Sequence, residues 1–196
     1  MKQPPLRTPD RLDVPMARRQ TLRNGVELHT LPDDEFEVLR LSFVFRAGSA
    51  VQRVPFSASS TANLLSEGSR DMDAQQIAEK LDFYGSYYDV NVDRDYVYLS
   101  FCSLSKFFLP TLEVAERILL GPVFPEDEVD AYRRKRKQRL AIERLKVDTK
   151  AREALAQALF GERHPYGISY NEAAYDTLTR EDLADMYRTH LSLIHI

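Results

Sequence analysis

Apolar and polar residues alternate in several short segments of the chain, which is the pattern of half-buried β-strands. The first alternation flanks Asn24-Gly25, a dipeptide that favours the tight turn of a β-hairpin. The polar stretch Asp93-Arg94-Asp95 separates two further alternating segments and so predicts a second antiparallel pair. The other alternating segments are Leu39–Phe45, Tyr88–Val92 and Val97–Phe101.

Apolar residues at helical spacing, combined with start and stop signals, predict helices between and after these strands. The predicted helices cover Ser57–Glu67, Asp73–Tyr84, Leu112–Leu119, Pro125–Phe160 and the segment after Thr179. Two of them begin with the residue types of a capping box, Asp73 with Gln76 and Thr179 with Asp182. Strand pairs joined by tight turns, with helices grouped in blocks, predict an α+β fold with an antiparallel sheet.

Composition and charge exclude several classes of protein. The chain has 196 residues and a net charge of −3, so it is not a general binder of polyanions. A single cysteine, Cys102, excludes an internal disulfide and a cysteine-based zinc site, and its apolar surroundings predict a buried thiol. No apolar run approaches the roughly 18 residues of a membrane span. The first 16 residues contain four prolines and no apolar stretch, which indicates neither a signal nor a transit peptide, so we expect a cytoplasmic protein.

The domain organisation follows from the same patterns. Residues 1–17 predict an extended arm, and residues 18–190 predict a single domain. The last six residues, Leu191–Ile196, resemble the translation of an adapter used in sequencing libraries. We therefore expect residues 191–196 to be a non-native tail and the natural protein to be longer.

Several motifs, taken together and in this order, resemble the M16 metallopeptidase family of insulinase, pitrilysin and the mitochondrial processing peptidases. The motifs are Leu22–Val26, Phe45–Ser49, Leu64–Ser69, Ala78–Gly85, Gly121–Glu126, His164–Gly167 and Leu178–Leu183. The resemblance implies a domain in which helices pack on one face of an antiparallel sheet. It also implies that a whole protein carries at least two such domains.

Active members of the family carry an inverted zinc motif, His-x-x-Glu-His, on the helix before the Leu64–Ser69 motif. The resemblance places Ser59 and Asn63 at the two histidine positions and Ala62 at the position of the general base. It places Arg139 at the third ligand position, with Gln138 and Leu140 as the neighbouring registers. Because Zn²⁺ binds thiolate, imidazole or carboxylate, none of these residues is a suitable ligand. We expect no zinc and no catalytic residue here.

The resemblance implies a non-catalytic domain that pairs with an active, zinc-bearing homologue and helps to enclose or capture peptide substrate. In active members, the strand after the second helix binds extended peptide through main-chain hydrogen bonds. The corresponding candidate residues are Tyr88, Asp89, Val90, Asn91 and Val92. One alternative is an active zinc endopeptidase with an unorthodox site. We expect neither nucleic acid nor membrane as a partner.

A second alternative rests on the basic run Arg133–Lys137, which is followed by Arg139. One interpretation is a patch that binds nucleic acid or an acidic partner. The other is a solvated helix face whose partners are the acidic residues one or two turns upstream, from Glu126 to Asp130. Between these, part of the run could point into the cleft that holds zinc in active relatives and attract an acidic peptide there.

Overall fold

A computed structural model describes residues 14–33 and 35–192, which divide into two compact units on either side of the Phe36–Glu37 bond. Residues 1–13 of the predicted arm and residues 193–196 of the predicted tail lie outside the described residues. Residues 14–17 are exposed and form neither helix nor strand. The boundaries expected from the sequence, at residues 17 and 190, stay predictions.

The first unit contains a β-hairpin of β1 (Arg18–Thr21) and β2 (Glu27–Thr30). The Leu22 amide donates to the Val26 carbonyl across 2.8 Å, and Gly25 has a φ of +86°. Glycine suits this left-handed backbone conformation, because it has no Cβ to clash with the backbone. The hairpin predicted from Asn24-Gly25 is therefore confirmed.

The second unit is built on a three-stranded antiparallel sheet of β3 (Val38–Phe45), β4 (Tyr87–Val92) and β5 (Val97–Leu104). The strand order is β3-β5-β4, so β5 is central and β4 pairs with it through Val90 opposite Leu99. Leu99 and Phe101 are buried on the face that packs against the helices, whereas Asp89 is exposed on the other face. The fold is α+β, as the sequence predicts.

The motif Phe45–Ser49 joins the end of β3 to the turn between β4 and β5. The Gly48 amide donates to the Asp95 carbonyl at 3.0 Å, and the Ala50 amide donates to the Arg94 carbonyl at 2.7 Å. A Cβ on Gly48 would lie 2.4 Å from the Arg94 carbonyl carbon. Only glycine lets the two backbones approach this closely, so Gly48 fixes where Arg94 stands.

The helices of the second unit begin at the predicted residues in most cases. They are α1 (Ser57–Leu64, continued by a 3₁₀ turn over Leu65–Glu67), α2 (Ala74–Phe83), α3 (Phe108–Leu120), α4 (Glu126–Glu143), α5 (Val147–Phe160) and α6 (Arg180–Met186). Both capping boxes form, with the Gln76 amide 2.8 Å from Asp73 Oδ1. A 3₁₀ turn over Glu172–Thr177 precedes α6, and a π turn over Tyr187–Leu191 follows it.

The single helix predicted from Pro125 to Phe160 is wrong, because the structure has two helices there. A turn separates α4 from α5, with the Lys146 amide donating to the Glu143 carbonyl at 3.1 Å. Arg144 Nη1 donates to the Tyr170 carbonyl at 2.7 Å, which ties the end of α4 to a distant loop. Lys146 has an extended backbone, φ −74° and ψ 138°, which ends the helical run despite the continuous helical pattern of the sequence.

The core of the second unit lies between the sheet and α1, α3 and α6. Ala58, Leu99, Ile118 and Leu183 are fully buried there, and Cys102 is buried on β5 as predicted. In the described part of the chain, no helix has both the length and the apolar character needed to span a membrane.

Candidate functional site

The helix α1 and the strand β4 lie side by side, and a cavity is present at each end of the pair. Ser59 and Arg94, which follows β4, line one cavity of about 360 Å³, called here the α1 cavity. Glu67, which follows α1, lines a second cavity of about 530 Å³ together with Tyr88 at the start of β4. This second space, between α2 and β4, is called the α2 groove.

Within the described residues, β4 pairs with β5 alone, so its other edge carries no partner strand. The predicted peptide-binding residues Tyr88–Val92 all belong to β4. Tyr88 and Val90 are half-buried on the helix side, whereas Asp89 and Asn91 are exposed on the opposite face. The structure therefore brings this part of the candidate site together as one strand with an available edge.

The three positions on α1 are occupied by side chains that bond within the helix or pack in the core. Asn63 Nδ2 donates to the Ser59 carbonyl at 2.7 Å, and Ser59 Oγ donates to the Phe56 carbonyl at 3.2 Å. Ala62 is fully buried. No group at these three positions is an acid, a base or a strong metal ligand.

Arg139 does not join the α1 positions. Its side chain is 65% exposed and pairs with Glu143 one turn along α4, Nε to Oε1 at 2.7 Å. Its neighbour Leu140 instead lines the α1 cavity with Ser59. Of the three registers considered from the sequence, the structure places Leu140 opposite α1, and the expected positive charge of Arg139 lies on the solvent side.

The residues of the α1 cavity do not fit a zinc ion. Leu140 offers no donor atom, Ser59 offers only a neutral oxygen that is a poor ligand for Zn²⁺, and the carboxylate of Glu153 is paired with Arg144 at 3.9 Å. Asn63, which does not line the cavity, also offers only a neutral oxygen. In the part of the chain that the structure describes, no group of three or more His, Cys, Asp or Glu side chains is placed to hold a metal ion.

A turn over residues 165–170 forms a further part of the wall of the α1 cavity, beside Arg152 and Glu153 of α5. Arg94 Nη1 donates to the Tyr166 carbonyl, and its guanidinium lies 5.1 Å from the Tyr166 ring centroid. His164 stacks on Phe160 with ring centroids 5.5 Å apart. A Cβ on Gly167 would lie 2.0 Å from the Gly161 carbonyl oxygen, so glycine is required there. The motif His164–Gly167 thus closes the end of α5 against β4.

The basic run on α4 also has structural partners. Arg133 donates to the carbonyls of Tyr175 and Asp176 at 2.9 and 2.8 Å, and Lys137 forms an ion pair with Asp176. Arg133 also reaches Asp130, Nη1 to Oδ1 at 3.1 Å. None of Arg133–Lys137 lines the α1 cavity, whereas Lys135 lies near enough to Glu67 to lower the pKa of that carboxyl, so the interpretation in which part of the run points into the cleft stays a prediction. The run also holds the 3₁₀ turn before α6.

The α2 groove contains polar groups that the sequence analysis did not select. Glu67 is half-buried, and burial raises the pKa of its carboxyl, with Glu128 adding a smaller effect in the same direction. The Tyr88 hydroxyl is buried, and no hydrogen-bond partner for it is present among the described residues. The only sequence signal for Glu67 is its place in the Leu64–Ser69 motif, because its burial depends on tertiary packing.

Comparison with solved structures identifies the fold as that of an M16-like peptidase domain. The inactive domain of an M16 peptidase from Pseudomonas fluorescens superposes with a TM-score of 0.81 at 21% identity, covering 87% of this chain and 42% of that chain. An M16-like peptidase from Alicyclobacillus acidocaldarius gives a TM-score of 0.76 at 18% identity, covering 92% of this chain and 44% of that chain.

A third solved structure, of the ferredoxin protease FusC in complex with Arabidopsis ferredoxin, gives a TM-score of 0.68 at 15% identity. The match covers 95% of this chain and 23% of that one. No sequence model of a protein family matches the chain, and no curated protein matches it. The chain thus spans less than half the length of the solved structures it resembles, and the likeness is one of fold.

Proposed function

We propose that this chain is a non-catalytic M16-like domain that captures extended peptide at the free edge of β4 and pairs with a zinc-bearing partner. The observation that carries the proposal is the contrast along α1 and β4. The strand edge is open, while Ser59, Ala62, Asn63 and Leu140 provide no metal ligand or base.

Peptide capture is supported by the backbone geometry of β4. An unpaired strand edge presents amide and carbonyl groups at the spacing that an extended peptide needs. The six residues of β4 span about 20 Å at roughly 3.3 Å per residue, so about six peptide residues would pair along it. This recognition uses the main chain and depends little on side chains.

Pairing with a partner is supported by the length of the structural relatives. The first two solved structures are more than twice as long as the region they share with this chain. A domain without its own catalytic groups can contribute one wall of a chamber whose other wall carries the zinc. The expected partner is an active M16 homologue, and the expected location is the cytoplasm.

The alternatives receive less support from the structure. An active zinc endopeptidase would need several ligands in one place, and the described residues contain no group of three or more His, Cys, Asp or Glu side chains placed to hold a metal ion. A nucleic-acid patch on α4 would need free cations, yet Arg133 and Lys137 are engaged with residues 175 and 176.

Backbone methylation of a peptide tests capture at β4. In an extended peptide, successive backbone N–H groups point to opposite sides, so only every other residue bonds to the strand. We expect a nine-residue labelled peptide to lose binding, measured by fluorescence anisotropy, when one alternate set of amides is N-methylated. Methylation of the other set is the matched control and leaves binding within about twofold. Equal loss with both sets, or no binding of any extended peptide, would contradict the proposal.

Partner pairing has a separate test. Co-expression with a zinc-bearing M16 homologue, followed by size-exclusion chromatography, is expected to give one complex with one zinc per pair. Zinc held by this chain alone, removable by chelator with loss of peptidase activity, supports the active-enzyme alternative instead.

A further inference from the structure

The α2 groove lies where a peptide paired with β4 would send its side chains. Side chains of an extended peptide alternate between the two faces of the sheet to which it is added. Those on the face of Tyr88, which is the helix side, point toward α2. The groove lined by Tyr88, Glu67 and residues of α2 is therefore the place that receives one such side chain.

The lining of the groove combines apolar side chains with two carboxylates. Ala74, Ala78 and Leu81 of α2 supply the apolar side chains, and Glu67 and Asp82 supply the carboxylates. Long basic side chains have a matching combination, because an aliphatic stem carries a charged head. A shorter or purely apolar side chain would leave the carboxylates without a counter-charge.

Of the two carboxylates that line the groove, Glu67 is the one whose charged form is disfavoured by burial. It is half-buried, and it forms no hydrogen bond or ion pair with any residue that the structure describes. Lys135 acts on it only at a distance, while Glu128 repels it. A partly desolvated charge without a partner is costly, and a bound cation would relieve that cost.

We infer that the α2 groove accepts the side chain of a lysine or arginine from an extended peptide paired with β4, with Glu67 as its charge partner. This inference rests on the proposed capture of peptide at β4 and adds a preference in the peptide sequence. It makes Glu67 a specificity-determining residue of the site.

The test uses three labelled nine-residue peptides that differ at one central position, which holds Lys, Gln or Glu. For the 196-residue chain, we expect the Lys peptide to bind about tenfold more tightly than the Gln peptide, and the Glu peptide to bind most weakly. In Glu67→Gln, the Lys-to-Gln ratio is expected to fall to about twofold or less. Glu113→Gln, an exposed carboxylate on α3, is the matched control and keeps the full ratio.

Two further measurements separate the possible failures. Raising the salt concentration is expected to reduce the Lys preference of the unaltered chain, a readout that needs no variant. Equal binding of the three peptides, with sensitivity to N-methylation retained, would overturn the inference and leave the proposed capture intact. A Lys preference that survives in Glu67→Gln and is lost in Asp82→Asn would overturn the assignment to Glu67. Absence of binding by every peptide would overturn both proposals.

Discussion

The two ends of the α1–β4 pair have different chemical characters. On α1, the side chain of Asn63 bonds back to the Ser59 carbonyl, and in the α1 cavity Leu140 presents an apolar surface beside Ser59. At the α2 groove, Glu67 and the Tyr88 hydroxyl remain without hydrogen-bond partners among the described residues. The carboxylate that lines the α1 cavity, Glu153, pairs with Arg144 at 3.9 Å, whereas Glu67 at the α2 groove has no such partner among the described residues. Each end also holds one buried hydroxyl without a hydrogen-bond partner there, Ser169 at the α1 cavity and Tyr88 at the α2 groove.

This difference indicates which part of the fold has polar groups that a ligand could pair with. Unpaired polar groups cost stability and persist where something else benefits from them, whereas internally satisfied groups need no ligand. The β4 edge between the two ends depends on backbone geometry alone. Under the proposed function, capture of a peptide at this edge therefore does not require metal ligands on α1.

The largest expected effect comes from rebuilding metal ligands at the α1 cavity. Ser59→His and Asn63→His place two imidazoles one turn apart on α1, and Leu140→Glu places a carboxylate in the same cavity. We expect this triple variant to bind Zn²⁺ at micromolar concentration or tighter, about 8 kcal/mol of binding free energy. Isothermal titration calorimetry against the unaltered chain measures the difference.

The control for this variant carries the carboxylate one residue earlier. Arg139→Glu combined with the same two histidines is expected to bind Zn²⁺ at least about tenfold more weakly, because position 139 faces solvent. Equal binding by the two triple variants would show that the position opposite Ser59 is wrongly assigned.

A smaller change in free energy is expected from a core substitution in β5, the strand that pairs with β4. Leu99 is fully buried in the centre of β5 opposite Val90, so Leu99→Ala is expected to cost about 2–5 kcal/mol of unfolding free energy. Leu104→Ala at the partly exposed end of the same strand is the matched control, expected to cost less than about 1 kcal/mol. Urea denaturation followed by circular dichroism measures both, and equal losses would contradict the placement of the core.

Features set by local chemistry could be predicted from the sequence. The Asp73–Gln76 capping box and the hairpin at Asn24-Gly25 depend on residues only a few positions apart, and both form. The break between α4 and α5 is accompanied by a hydrogen bond from Arg144 to the Tyr170 carbonyl, 26 residues away along the chain. The periodicity of apolar residues does not predict a contact between residues so far apart in the sequence.

The candidate site shows the same division between local and tertiary information. The resemblance places the third ligand position on Arg139 or one residue to either side, and of these residues Leu140 lines the α1 cavity. One residue is a rotation of about 100° around a helix, so this small offset turns a side chain from the cavity to solvent. No local sequence pattern indicates Glu67, because its partial burial arises from packing between α2, β4 and α4.

The basic run on α4 provides a test of intermediate size. Arg133 makes hydrogen bonds to Tyr175, Asp176 and Asp130, so Arg133→Ala is expected to cost about 1–2 kcal/mol of stability. Arg134 is exposed, and Arg134→Ala is expected to change stability by less than about 0.5 kcal/mol. Equal effects of the two variants in thermal denaturation would contradict the structural role of the run and favour a surface-charge role.

The smallest effect concerns the pH dependence of stability at Glu67. Because burial raises the pKa of this carboxyl above its ordinary 4.5, the folded chain holds a proton there at pH values where the unfolded chain has released it. Stability therefore falls as the pH rises through the interval just above 4.5 and stays lower at pH 7.

Glu67→Gln removes this loss, so we expect the variant to be more stable at pH 7 by less than about 1 kcal/mol, since the group is half-exposed. The stability advantage of the variant is expected to shrink toward pH 4, where the Glu67 carboxyl is mostly protonated in both the folded and the unfolded chain. Urea denaturation at pH 4 and pH 7 measures this stability difference, with Glu113→Gln as the control that shows no such pH dependence.

A saturating Lys peptide is expected to reverse the order of stability of the two proteins at pH 7, because only the carboxylate of the unaltered chain gains from the bound cation. If Glu67→Gln is less stable than the unaltered chain at pH 7 without peptide, Glu67 has a stabilising partner in the folded chain, and the contrast between the two ends of the α1–β4 pair fails.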